Sequence, residues 1–186
     1  MKATKILRDE QKMIDRFLAA FVLGTTYAAQ NRPVKPGFFI YASNFIKGYI
    51  EASYFKKEET LLKSLAENGV ASDHGPLAQM FNEIKQSQEL SEDIISGARQ
   101  WQSGDLDGRN NVIWATSTFT SLMRQHIDRS RTIIFQLAEQ VISPDDEHKI
   151  AEEFNHIVFE DDGIQPTEHY EKIIKALEDD ANEWKH

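Results

Sequence analysis

Val112, Thr116, Phe119, Met123, His126, Ser130, Ile133, Leu137 and Val141 follow one another at intervals of three or four residues. That spacing keeps a single face in line on a helix of 3.6 residues per turn, whereas strand side chains change face at every residue. A helix this long cannot bury its apolar stripe alone and needs other helices to cover it. Three further segments supply them. In the first, from about Thr4 to Ala29, Leu7, Ile14, Leu18, Phe21 and Val22 recur at helical spacing with Gln11 on the same stripe. It stops before the breaker cluster Asn31-Arg-Pro-Val-Lys-Pro-Gly37. In the second, Phe39, Ala42, Ile46, Ile50, Tyr54, Leu61 and Leu65 are in register with Glu58 among them, and Asn68-Gly69 supplies a C-terminal cap. The third opens at Ser72-Asp-His-Gly-Pro76 and carries Leu77, Met80, Ile84, Ser87, Ser91, Ile94, Ala98 and Trp101. Ser103 to Asn111, dense in turn formers, is the expected connection to the fourth.

Two shorter helices follow. Ser143-Pro-Asp-Asp-Glu147 combines a serine cap, a first-turn proline and acids at the positive end of the helix dipole, and this fifth helix is expected to run to about Phe159. After an acidic turn at Glu160-Asp-Asp-Gly163, Pro166-Thr-Glu168 starts an amphipathic helix bearing Ile173, Ile174, Leu177 and Trp184. No strand-like alternation or internal repeat intervenes. The expected fold is all-α, an up-down four-helix bundle with additional C-terminal helices. Residues 1–160 form the bundle with its short fifth helix, and residues 161–186 a C-terminal helical extension packed on it.

Composition bounds the partners. With 186 residues, 40% hydrophobic, 11 Phe and 3 Trp, the chain can fill one substantial core. A formal charge of -9 opposes nucleic acid and anionic membrane surfaces, whose binders present excess Lys and Arg. Cysteine is absent, which excludes disulfides and thiolate chemistry. Charges interrupt the N-terminal segment too often for a signal peptide, and no apolar run reaches the roughly 20 residues a membrane helix needs. A cytoplasmic protein with no nucleic-acid or membrane partner is expected.

The chemistry must therefore come from polar residues on the apolar stripes: Gln11, Tyr54, Glu58, Ser87, Ser91, His126 and Ser130. Burying a carboxylate or an imidazole costs several kcal/mol unless it is paired. Tyr54 with Glu58, and His126 with Ser130, are four residues apart, a spacing that lets two side chains of one helix converge.

Several short segments resemble the hemerythrin-like family of cation-binding four-helix bundles. They are Leu7-Arg-Asp-Glu-Gln11, Lys56-Lys-Glu-Glu-Thr-Leu-Leu62, Glu67-Asn-Gly-Val70 with His74-Gly-Pro-Leu-Ala-Gln-Met80 and Asn82-Glu-Ile84, and His126-Ile-Asp-Arg-Ser130. The resemblance spans roughly residues 4–160 and implies a helical bundle around two iron ions. Carried over by position, the ligands fall on Gln11, Tyr54, Glu58, Ile84, His126 and Ser130. Only Glu58 and His126 keep the residue type the family uses. Ile84 cannot coordinate, Ser130 replaces a bridging carboxylate poorly, and Gln11 is neutral.

Two states remain open. In one, Tyr54, Glu58, His126 and Gln11 hold a single iron or zinc ion, which would make the chain a protein of metal handling or of redox or nitric-oxide stress. In the other, no cofactor is bound: Glu58 pairs with His126, Tyr54 and Gln11 complete a polar knot, and Ile84 fills the space of a lost ligand. The second is expected, and with it a non-enzymatic interaction or sensing protein. A partner protein or a second copy is expected to meet the C-terminal helix. On this view an apolar residue of matching shape should be tolerated at His126. His74, His148 and His156 are expected to be surface residues. Asp105-Leu-Asp-Gly108 lacks the glycine position and bidentate glutamate of a calcium loop, and no phosphate-binding loop occurs.

Overall fold

The computed structural model describes residues 1–160 and 166–186. The acidic turn expected at residues 160–163, beyond Glu160, and the start of the C-terminal extension at residue 161 lie outside the described residues. All regular structure among the described residues is helical. It comprises α1 (Lys2–Ala29), α2 (Pro36–Phe45), a π-helical segment (Ile46–Tyr54), α3 (Phe55–Glu67), α4 (Gly75–Gln102), α5 (Leu106–Arg129), a second π-helical segment (Ser130–Ile134), α6 (Phe135–Val141), α7 (Pro144–Glu160) and α8 (Thr167–Glu183). The two π segments join their neighbours without a break, so α2 to α3 and α5 to α6 are two long rods.

Helix starts and stops follow local chemistry. α3 ends at Glu67, and two residues on Gly69, whose φ of 94° suits a residue without Cβ, turns the chain while Val70 N–H reaches back to the Leu65 carbonyl at 3.1 Å. The Ser143 hydroxyl accepts from Asp146 N–H at 3.2 Å at the head of α7, beside Asp145, Asp146 and Glu147. One boundary moves. The connection expected over Ser103–Asn111 is shorter, because Asp105 accepts from Asp107 N–H at 2.9 Å and starts α5 at Leu106. Gly108 inside that helix lets α4 approach: a Cβ there would lie 2.5 Å from Trp101 N and 2.7 Å from the Gly97 carbonyl oxygen.

α4 runs along α5, α1 packs on α5, α2 packs on α4, and α7 leans on α3. An aromatic cluster fills the middle. Phe17 stacks on Phe45 with ring centres 4.3 Å apart, and Phe21 meets Phe119 edge-on at 6.3 Å. α8 lies on α1 and α2, burying Tyr170, Ile173, Ile174, Leu177 and Ala181. Arg16 binds Glu178 at 2.5 Å, Arg32 donates to the Trp184 and Lys185 carbonyls at 2.6 Å, and Trp184 stands edge-on to Phe38. The apolar face of the last helix is thus covered by the chain's own α1 and α2. No described helix is long and apolar enough to cross a membrane.

The π segments change which residues face inward. In an α-helix a four-residue step advances about 40° past a full turn, so a run such as Ala42, Ile46, Ile50, Tyr54 and Glu58 would spiral off one face. The wider i→i+5 turn from Ile46 to Tyr54 absorbs that drift, and all five residues are buried. After Ser130 the same device displaces the expected stripe by one residue. Ile134 and Ala138 are buried, whereas Ile133 and Val141 are more than a third exposed.

Gly108→Ala should separate α4 from α5 and lower stability by about 1–3 kcal/mol, measured by urea denaturation. An unchanged midpoint would show that the helix contact is loose.

Candidate functional site

The two π segments bracket one level of the fold. Tyr54 ends the first, Ser130 begins the second, and Glu58 and His126 lie one turn beyond each. π-helical turns occur often at functional sites, because they push side chains off the regular helical lattice. Here they bring Gln11, Tyr54, Glu58, His126 and Ser130 together in an interior where each is at most 1% exposed.

His126 is held on both sides. Its Nε2 lies 2.7 Å from Glu58 Oε1 and its Nδ1 lies 3.2 Å from Glu83 Oε1. Glu83 in turn takes both oxygens to Arg129 Nη1, at 2.8 and 2.6 Å. Acid, base, acid and base therefore alternate through the protein, and the four charges cancel when the imidazole is protonated. Burial by itself would depress the His126 pKa, but the carboxylates of Glu58 and Glu83 outweigh it and hold the ring at about 9 against the usual 6.5.

A second strand of polar contacts runs from the first. Gln11 Nε2 donates to Tyr54 Oη at 2.7 Å, and Gln11 Oε1 accepts from Arg131 Nε at 2.9 Å, which fixes the amide orientation. Arg131 continues to Asp15 at 2.6 Å. Burial, and then the charge of Glu58, lift the Tyr54 phenol well above its ordinary pKa, so Tyr54 is a neutral phenol. Ser130 Oγ donates to the His126 carbonyl at 3.0 Å with Glu58 Oε1 at 3.3 Å. Two atoms stand out. Glu58 Oε2 and His126 Nε2 are buried without an aligned hydrogen bond, the 2.7 Å approach being a close ion pair rather than a directed N–H···O contact.

Glu83, Arg129, Arg131 and Asp15 were not among the sequence candidates. A signal existed for Glu83, which stands three residues after Met80 and four before Ser87 on the buried stripe of α4. Arg129 likewise follows His126 by three. Ile84 is buried beside Glu83 but contributes no donor. Ser87 donates weakly to Met123 Sδ at 3.6 Å, and Ser91 Oγ is buried without a partner. His74 is exposed beside Asp73, and His148 is exposed beside Glu152.

These donors do not suit a pair of iron ions. Gln11 is committed to Tyr54 and Arg131, Ser130 to a backbone carbonyl, and both His126 nitrogens face carboxylates. No group of three or more His, Asp or Glu side chains among the described residues is placed to hold a metal ion. Comparison with protein-family models, with curated proteins and with solved structures finds no match to this chain.

The geometry also revises the expectation that an apolar residue at His126 is harmless, since its loss strands the buried Glu58 carboxylate. His126→Leu should cost about 3–5 kcal/mol by chemical denaturation at neutral pH, and adding Glu58→Met should recover most of that loss. A cheap single variant would mean that the pair is not ionised. Because the folded pKa of His126 lies above the unfolded one, its stabilisation is complete below about pH 6.5 and is lost as the pH rises through about 9. That loss is about 3 kcal/mol. Denaturation midpoints that stay flat from pH 6 to 10 would contradict the assignment.

Proposed function

We propose that the chain is a hemerythrin-like up-down four-helix bundle whose di-iron centre has given way to an internally neutralised polar network, and that it serves as a non-enzymatic interaction or sensing protein. The observation that carries this reading is the position of His126. A histidine serving as a ligand offers a lone pair to the metal, whereas this ring is flanked by Glu58 and Glu83 and protonated at neutral pH. Arg129 and Arg131 add two guanidinium groups at the edge of the same network. A cation entering there would meet positive charge already paired with the acids it needs.

One observation favours a second reading. Glu58 Oε2 and His126 Nε2 are buried without aligned hydrogen bonds, and the Glu83 contact to Nδ1 is the kind of carboxylate support that orients metal-bound imidazoles. Tyr54, Glu58 and His126, with Gln11 behind Tyr54, would then hold one iron or zinc ion, which would act as a Lewis acid or, as iron, as a one-electron centre.

Elemental analysis of protein purified without chelators, together with its visible spectrum, separates the two. Less than about 0.1 iron or zinc per chain, with no tyrosinate charge-transfer band, is the expected result, far below the single ion of a filled site. Stoichiometric iron with such a band, lost in Tyr54→Phe, would establish the second reading and defeat the first.

A further inference from the structure

Charge is spread densely over this sequence, at 27% of residues, yet two long runs carry none. Phe17 to Asn31 spans 15 residues and Asn110 to Met123 spans 14 without a single Asp, Glu, Lys or Arg. The fold places these runs side by side. Arg109 binds the Ala28 carbonyl and, at 3.0 Å, the Asn31 side chain, and Phe21 meets Phe119, so the C-terminal half of α1 and the N-terminal half of α5 run antiparallel in register. Their inward faces belong to the core. Their outward faces form a surface flanked by two basic residues, Arg109, which is committed to Ala28 and Asn31, and Arg124, just past the end of the second run.

That surface has relief. Between the two helices lies a cleft of about 620 Å³, lined by Val22, Thr26, Ala29, Ser117, Ser121 and Arg124 among others. On the other flank of α5, Trp114 is 63% exposed and borders α4 at Gly97. Leu23, on α1, is 45% exposed. Trp114 stands at the edge of the uncharged face, where Asp93, Ser96 and Gln100 of α4 border it, and an exposed aromatic rimmed by polar residues is the form a protein contact takes.

We infer that this face is where a second copy of the chain docks, antiparallel about a two-fold axis crossing α5 near Ser117. Three features select that occupant. A knob and a hole on the same patch are what an isologous interface requires, since each copy must present both halves of the contact. Trp114 of one copy then enters the α1–α5 cleft of the other. Electrostatics also favours it. A chain of formal charge -9 repels its own copies over most of its surface, and this uncharged face is where two can approach with least penalty. Finally, the charges at the two ends of the face match. Asp107 is exposed at the start of α5, and neither it nor Arg124 has an ion-pair partner among the described residues. The level midway between Asp107 and Arg124 on α5 and the level midway between Trp114 and the cleft fall within one turn of each other. A single two-fold axis therefore satisfies both contacts. A nucleic acid or a highly charged peptide would find only isolated charges at the ends of this face, of both signs.

The inference does not depend on metal content, so its failure would leave the account of Glu58 and His126 intact. Sedimentation equilibrium of the full chain tests it. The wild-type protein should be a dimer at micromolar concentration. Trp114→Asp should weaken association at least about 30-fold with an unchanged circular dichroism spectrum, because a buried Trp anchor typically dominates such a contact. Asp107→Arg should also weaken it, and the double variant Asp107→Arg with Arg124→Asp should restore it. A chain that stays monomeric to about 1 mM overturns the inference and leaves the cleft to a small ligand or to another protein. A dimer that survives Trp114→Asp overturns it equally, and one indifferent to the charge exchange removes the antiparallel arrangement.

Discussion

The interior depends on one buried sequence of alternating charges, Glu58, His126, Glu83 and Arg129. Each acid would be intolerable alone at this depth, and the histidine would be neutral without them. Together they cancel, and each fixes the rotamer of the next. The chain links α3, α5 and α4, so the charge network also sets the register of three helices. Such networks are weak sources of net stability but strong constraints on alternatives, because a slipped helix leaves an ion unpaired.

The π-helical segments serve that constraint. A regular helix from Pro36 to Glu67 would rotate Tyr54 and Glu58 progressively away from Ile46, and a regular helix through Ser130 would bury Ile133 in place of Ile134. Widening both rods at one level lets the polar residues meet while the apolar stripe resumes beyond them. Around this level the rest of the molecule is ordinary packing. Phe17, Phe21, Phe39, Phe45 and Phe119 form the aromatic centre, and α8 closes over α1 and α2 with Tyr170, Ile173, Ile174 and Leu177.

Much of this is legible in the sequence. The three-and-four spacing placed the long helices, and Gly69 and Ser143 marked their ends. The unusual polar residues on the stripes picked out Gln11, Tyr54, Glu58, His126 and Ser130, which do meet. What periodicity could not supply was the displacement after Ser130, since a π turn costs one residue of phase and leaves no single-residue signature. It also missed Glu83 and Arg129. A carboxylate flanking an apolar stripe resembles any solvent-facing acid until its partner on another helix is known. Residues 106–111 are helical for a related reason: their turn-forming residues look like a loop, whereas Asp105 caps the helix and Gly108 lets two helices touch. The apolar face of the C-terminal helix is equally plain in sequence, and α1 and α2 cover it within the chain.

The geometry makes His126 a buried imidazolium clamped between two carboxylates. Nitrogen-15 NMR of the imidazole rings, followed from neutral pH into the alkaline range, tests it most directly. Both ring nitrogens of His126 should carry protons at neutral pH, and one should be lost only near pH 9. A neutral ring at neutral pH, with Nε2 unprotonated and facing Glu58, would contradict it and would restore His126 as a free ligand.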